Sequence, residues 1–388
     1  MLPKPVSHGT AHSIARVASL AALALAALLG LLALAACEDD GAESQREIVE
    51  RLRDNAEDFE YSVGRHGGNL SFTTVSEPLT FNLALSNDAS SSSVLGYLFE
   101  GLTETSWLTD EVEPALAESW ESSDDGLTWT FRMRPGVTWH DGRPVTARDV
   151  DFTFNRIIYN EDIPTDTRAA FTFRFPDSDG GWREEPMTVT ALDDSTVRMV
   201  LPTPFAPFLR SMGTAIYPEH ILAPHVDAGT FSDVWDIETD PAEVIGTGPF
   251  TIESYTPEDS LVLRRNPGYW LTDADGNRLP YLDTVTMDFV ETLEDEFEAF
   301  QAGQADVHGV LGEEFATLEP LQEEGNFTIH KRGPGFGTTF LSFNVNPGAN
   351  PDTGAPLVAP EKLAWFTNAD FRRAAAHSID KQRIVEET

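Results

Sequence analysis

A change in hydrophobic period constrains the fold of this chain more than any other feature of its sequence. From Leu127 to Met133 apolar and polar residues alternate, which predicts a strand with one buried face and one wet face. From Ala147 to Ile158 the apolar residues recur instead at helical spacing. Because this mixture of strand and helix patterns continues along the chain, the sequence predicts an α/β protein of more than one lobe.

A β–α–β unit is predicted from 284 to 310. TVTMDFV and ADVHGV have strand patterns, and TLEDEFEAFQAG between them has the pattern of an amphipathic helix. Leu293, Phe297 and Phe300 form the apolar stripe of this helix, and Gly303 occupies the position of a helix C-cap. The unit would place 305–310 in a sheet.

His140 and Asp141 lie between the predicted strand and the predicted helix, where they could be a catalytic pair or a structural turn. Asp141 and the following glycine form a strong turn dipeptide, and Thr146 with Asp149 predicts a capping box at the start of the helix. A catalytic histidine needs a nucleophile or a metal, yet the chain contains neither Gly-x-Ser-x-Gly nor His-Glu-x-x-His. We therefore expect a turn, no catalytic residue and no enzymatic activity.

The N-terminus has the pattern of an export signal. A polar segment with Lys4 and Arg16 precedes an apolar run from Val17 to Ala36, and the run ends in Leu-Ala-Ala-Cys at Cys37. This ending resembles the lipobox of bacterial lipoproteins, in which the cysteine receives a diacylglycerol and becomes the new N-terminus. The alternative is a transmembrane anchor, because about 20 apolar residues can span a bilayer.

The lipobox implies a lipoprotein signal peptide over 1–36, lipidation of Cys37 and an acidic tether over 37–61. The protein would then work outside the cytoplasm, tethered to a membrane through its lipid. Cys37 is the only cysteine, which excludes a disulfide within the chain and a multi-cysteine metal site. We expect no metal and no cofactor.

The charge of the chain argues against several partners. The sequence has 64 acidic and 26 basic residues, so its surface repels nucleic acid and anionic lipid. An acidic solvation surface, suited to salty or acidic surroundings, is favoured over recognition of a basic ligand. We expect no nucleic-acid partner.

The segment from Glu113 to Ile157, EPALAESWESSDDGLTWTFRMRPGVTWHDGRPVTARDVDFTFNRI, resembles the signature block of the extracellular solute-binding proteins, family 5. These are the oligopeptide- and dipeptide-binding receptors of ATP-binding cassette importers. The resemblance runs from about Gly67 to Glu386. Further segments that resemble the family in the same order are GGNLSFTTVSEPLTF, FEGLTE, IYPEHIL, VIGTGPFTIESYTPEDSLVLRRNPGYW and DFRRAAAHSIDKQRIV.

The resemblance implies a periplasmic-binding-protein-like fold, the Venus flytrap of class II (cluster C), with an extra inserted lobe. Lobe I would comprise 62–85 and 189–335, and the inserted lobe II would comprise 86–188. Lobe III would begin with 336–388 and would be truncated, so that the sequence is an N-terminal fragment of such a receptor.

Ligands of this family lie between lobes and are held largely through their backbone as an added strand, and lobe closure presents the loaded receptor to the permease. The resemblance therefore implies a peptide ligand, importer permease subunits as partners and a monomer. It suggests Val75, Glu77 and Phe152 as ligand-binding residues. Glu77 could instead be a solvated loop carboxylate, and Phe152 could instead pack on a neighbouring element.

Three other functions stay open from the sequence. The same receptor family includes proteins for nickel chelates, haem, glutathione or sugars, so the solute could be a non-peptide. An extracytoplasmic hydrolase and a purely structural lipoprotein are the alternatives from other classes.

Overall fold

The computed structural model describes residues 62–106, 109–177, 179–331, 340–350, 353–381 and 383–384. The predicted signal peptide, Cys37 and the acidic tether lie outside the described residues. The described chain forms two compact units, one up to Val310 and one from Leu311 onward. Within the described ranges, no helix is both long enough and apolar enough to cross a membrane.

The first unit combines short strands and short helices, as predicted for an α/β chain. Its strands are β1 (Asn69–Thr74), β2 (Thr103–Thr105), β3 (Val112–Pro114), β4 (Ala117–Ser122), β5 (Thr128–Met133), β6 (Thr172–Pro176), β7 (Trp182–Pro186), β8 (Thr188–Asp193), β9 (Thr196–Val200), β10 (Phe250–Thr256), β11 (Ser260–Arg265) and β12 (Thr284–Phe289). Its helices are α1 (Ala89–Leu95), α2 (Ala147–Phe152), α3 (Thr167–Ala170), α4 (Phe208–Ser211), α5 (Glu219–Ala228) and α6 (Leu293–Gln301).

Two four-stranded sheets organise the first unit. The first sheet has the order β1-β12-β11-β10, with β1 parallel to β12 and the remaining neighbours antiparallel. The second sheet, β4-β5-β9-β8, is antiparallel throughout. Its strand β5 is the predicted strand with alternating apolar and polar residues. The remaining pairs, β2–β3 and β6–β7, are two-stranded.

Each four-stranded sheet has a hydrophobic core of its own. The first core includes Phe81, Leu98 and Phe99, and the second begins three residues later with Leu102. Residues 86–99 therefore pack with the first sheet. The pair β8–β9 completes the second sheet. The predicted lobe boundary at 188/189 falls after the first residue of β8, and the division into lobes stays a prediction.

The helix that follows the turn starts as predicted and then changes its pitch. Thr146 and Asp149 form the capping box, and α2 continues as a π-helix from Thr153 to Ile158. A π-helix has more residues per turn than an α-helix, so it shifts the side chains that follow it around the axis. The helix contributes side chains to both cores. Val150, Phe154 and Ile158 lie in the second core, whereas Phe152 and Ile157 lie in the first.

The predicted β–α–β unit is only partly correct. β12 and α6 form, but 305–310 is not a strand. Instead Asp306 binds β1 at a single position: its backbone N–H donates to Ser71 O (2.8 Å), and its carboxylate accepts the Ser71 N–H (2.8 Å). Because the side chain takes the donor that a neighbouring strand would use, the ladder does not continue.

The described part of the second unit combines short helices with irregular segments such as 340–350. An asparagine side chain caps the last helix, since Asn368 Oδ1 accepts the Asp370 N–H at 2.8 Å. Its helices are α7 (Gly312–Leu318), α8 (Gln322–Gly325), α9 (Pro360–Thr367) and α10 (Ala369–His377).

Gly246 is expected to be essential for packing the first unit. A Cβ at this position would collide with the Leu98 carbonyl, whereas a Cβ at Gly309 would meet no atom within 4 Å. Gly246→Ala should lower the free energy of unfolding by about 1–3 kcal/mol, as overpacking does. Urea unfolding measures this change. Gly309→Ala is the control, and equal effects of the two variants would contradict the close approach.

Candidate ligand-binding site

The outer edge of β1 is the first part of the candidate site. Val290 N–H donates to Thr74 O at 3.0 Å on the β12 side. Since backbone groups alternate in direction along a strand, Ser71, Thr73 and Val75 face the opposite, outer side. The outer edge of β1 therefore has no strand beside it among the described residues.

Carboxylates occupy two of the three outward N–H groups. Asp306 accepts the Ser71 N–H, and Glu296 at the start of α6 accepts the Val75 N–H at 2.7 Å. Thr73 lies between them with its backbone N–H and C=O directed to the same side. Val75 is 38 % exposed and Leu79 is 69 % exposed, so apolar side chains lie next to these backbone groups.

The Glu77 side chain forms hydrogen bonds that hold the segment after β1 in place. Its Oε2 accepts the Tyr255 hydroxyl at 2.8 Å and the Glu258 N–H at 3.1 Å. Burial and the Glu77 carboxylate together raise the pKa of Tyr255 to about 12. Glu258 has a φ of 60°, a conformation that non-glycine residues rarely adopt, and its bond to Glu77 helps to hold it there. Glu77 is thus held by hydrogen bonds and is not a free loop carboxylate, and its contact with a ligand stays a prediction.

Phe152 lies on α2, and only 3 % of its surface is exposed. It packs in the first core together with Phe81, whose ring meets Tyr255 edge-to-face at 5.5 Å between centroids. Glu77 and Phe152 therefore border the same core from different elements. An edge of Phe152 also reaches a groove of about 470 Å³ that is otherwise lined mainly by charged residues. Its role in ligand binding stays a prediction.

His140 is locked as a neutral structural residue. Gly246 N–H donates to its Nδ1 (3.0 Å), so its proton lies on Nε2, which donates to Gly248 O (3.1 Å). Burial lowers the pKa of His140 to about 4. Asp141 accepts the Arg143 N–H and bonds His220. With both ring nitrogens engaged, the pair stabilises a turn, as predicted.

The described residues contain no cluster of three or more His, Cys, Asp or Glu residues that could hold a metal ion. The arrangement at β1 instead offers backbone donors and acceptors, exposed apolar side chains and carboxylates. Such a surface suits the binding of an extended ligand with a polar backbone.

The family model of the bacterial extracellular solute-binding proteins, family 5 (middle), matches residues 111–388. The chain belongs to this family. The family-5 resemblance read from the sequence is thereby confirmed, and solved structures of periplasmic binding proteins share its mixed α/β fold.

Three relatives show how much of the chain is shared. The dipeptide-binding protein DppE of Bacillus subtilis is 28 % identical over 80 % of this chain and 51 % of its own. The oligopeptide-binding protein AppA of B. subtilis, solved with a nonapeptide, is 26 % identical over 66 % of this chain and 46 % of its own, with a TM-score of 0.54. MelB of Agrobacterium fabrum, solved with stachyose, is 26 % identical over 84 % of this chain and 49 % of its own, with a TM-score of 0.64. The chain spans about half the length of the curated relatives it matches.

Sequence reasoning about this family-5 chain missed the residues that hold β1 and the segment after it in place. Glu296, Asp306 and Tyr255 each act on β1 or on the segment after it across more than 170 residues of sequence. The sequence gives only a weak signal of them, because Glu296 lies near the start of the predicted helix and Asp306 follows its end.

His140 should make the stability of this family-5 chain depend on pH. The unfolded chain protonates His140 below about pH 6.5, but the folded state resists until about pH 4. Stability is therefore lost as the pH falls from 6.5 towards 4. His140→Gln should reduce this loss by about 2 kcal/mol, allowing for partial exposure. Urea unfolding at several pH values measures it, with exposed His66→Gln as control. An unchanged profile in His140→Gln would refute the assignment.

Proposed function

We propose that this chain is the substrate-binding component of an ATP-binding cassette importer and takes up di- and oligopeptides outside the cytoplasm. It binds the peptide as an added strand and delivers it to the permease subunits by lobe closure, as a monomer. It performs no chemistry on the ligand. Family membership supports the receptor role, and DppE and AppA are relatives whose names refer to peptides.

The observation that carries the peptide proposal is the outer edge of β1, beside which no strand lies within the described part of the chain. Thr73 directs a donor and an acceptor to that edge, and exposed Val75 follows it. A peptide laid along an open strand edge receives backbone hydrogen bonds whatever its side chains are, which suits a receptor for many peptides. A sugar has no repeating N–H and C=O groups to match this edge.

A sugar is the second candidate solute. The MelB structure was solved with stachyose, and it matches 84 % of this chain with a TM-score of 0.64. This likeness covers the fold that builds the site and favours an oligosaccharide over the other non-peptide solutes of the family.

A ligand screen on the full-length gene product separates these candidates. The melting temperature should rise by several degrees with di-, tri- or oligopeptides, because a ligand that binds only the folded state stabilises it by mass action. Stachyose should produce no rise. The reverse result, a rise with stachyose and none with any peptide, would move the assignment to an oligosaccharide.

A backbone variant serves as the matched test of the β1 edge. Thr73→Pro removes only the outward N–H, since proline is tolerated on an edge strand whose N–H faces away from its neighbour. It should weaken peptide binding about 10-fold, the effect of one lost hydrogen bond. Thr73→Val keeps the N–H and should bind like the wild type. Equal affinities of the two variants would argue against strand addition.

We further propose that Cys37 carries the lipid anchor of this receptor. Leu-Ala-Ala-Cys after an apolar run supports this assignment. The wild type expressed in a bacterial host should partition into Triton X-114 detergent, and mass spectrometry should find a diacylglycerol on Cys37. Cys37→Ser should leave the signal uncleaved at this site and should lack the lipid. Wild-type protein with an intact N-terminus or an unmodified Cys37 would favour a transmembrane anchor instead.

A further inference from the structure

Glu100 lies where the chain crosses from the first core to the second. Leu98 and Phe99 belong to the first core, and Leu102 belongs to the second. Two distant segments clamp this crossing through its carbonyl groups. Thr247 N–H donates to Leu98 O (2.9 Å), and Ile216 N–H donates to Glu100 O (2.9 Å).

The Glu100 carboxylate is held from a third segment. Tyr269 donates its hydroxyl to Oε1 at 2.8 Å, and Trp270 Nε1 lies 3.1 Å from Oε1 and 3.2 Å from Oε2. One carboxylate therefore joins the crossing to residues 269–270. Removal from water outweighs these donors and raises the pKa of Glu100 to about 7.

A buried hydroxyl faces the same carboxylate. Thr247 is 1 % exposed, and its Oγ1 has no hydrogen-bond partner within the part of the chain that the structure describes. Its closeness to Glu100 nevertheless lowers the pKa of that carboxyl. Because a hydroxyl can rotate, it can accept from the neutral acid or donate to the ionised form.

Neighbouring charges have a smaller effect on Glu100 than burial has. Glu104, four residues along the chain in β2, opposes ionisation of Glu100. The Arg134 guanidinium lies 4.3 Å from the centre of the Trp270 ring and lowers the pKa of Glu104. His140 is neutral and bonds Gly248 O on the far side of the clamp. Burial at the crossing, and not a neighbouring charge, is therefore the main cost of ionising Glu100.

We propose that Glu100 is a proton-controlled latch on the crossing between the two cores. As a neutral acid it keeps the crossing closed, and its ionisation favours local opening that returns the carboxylate to water. The latch depends on groups of the first unit alone and is independent of which solute binds.

Amide hydrogen exchange tests the latch at the clamp itself. In the full chain, corrected for intrinsic exchange, opening at Thr247, Gly248 and Ile216 should increase on the order of 100-fold from pH 5 to pH 8. The increase should level off above the pKa of Glu100. The Leu201 amide, which donates to Leu127 O in the second sheet, should show no such rise.

Three variants distinguish the latch from general loosening. Glu100→Gln cannot ionise, so its clamp amides should show no rise, whereas the exposed Glu118→Gln should behave like the wild type. Thr247→Val removes a group that lowers the pKa of Glu100 and should move the levelling-off to higher pH. A rise in Glu100→Gln like that of the wild type, or no rise in the wild type, overturns the proposal. If Glu100→Gln fails to fold, an unmoved profile in Thr247→Val overturns it.

Discussion

The first unit depends on one close crossing of backbone. The Leu98 carbonyl accepts two N–H groups, from Thr247 and Gly248, at 2.9 and 2.8 Å. A Cβ at residue 246 or 248 would collide with the backbone around Leu98, and glycine at both positions avoids that collision. Through this contact the first sheet, the turn around His140 and the connection to the second core share one fixed point. The first core lies on one side of this contact along the chain, and the second core lies on the other.

The helix α2 shows a second way in which the two cores are tied together. Val150 and Phe152 lie on α2 in different cores, and the π-helical segment from Thr153 rotates the side chains that follow. The Thr153 hydroxyl stabilises the change, since it donates to Asp149 O (2.7 Å) and accepts the Tyr217 N–H (2.9 Å). One helix thus completes two cores. A substitution that suits one core has to be tolerated by the other.

The sequence predicts what depends on neighbours along the chain. The alternating strand from 128 to 133, the capping box at Thr146 and the buried residues of α2 all follow from local periodicity, and all are found. It does not predict what depends on distant partners. Contacts between remote segments place Phe152 in the first core and extend the second sheet to Val200. Such contacts also keep 305–310 from forming a strand. The family resemblance indicates Glu77 as a candidate, but its bond to Tyr255 spans 178 residues and has no local signal.

The carboxylates on β1 have a consequence for pairing between copies of the chain. An open strand edge is a template for any other strand, including one from a second copy of the same chain. Here Asp306 and Glu296 already occupy the Ser71 and Val75 N–H groups, and they place negative charge along the edge. A second copy that pairs as a strand would have to displace both carboxylates and approach a surface of like charge. The two carboxylates thereby protect the edge against strand pairing between copies of the chain.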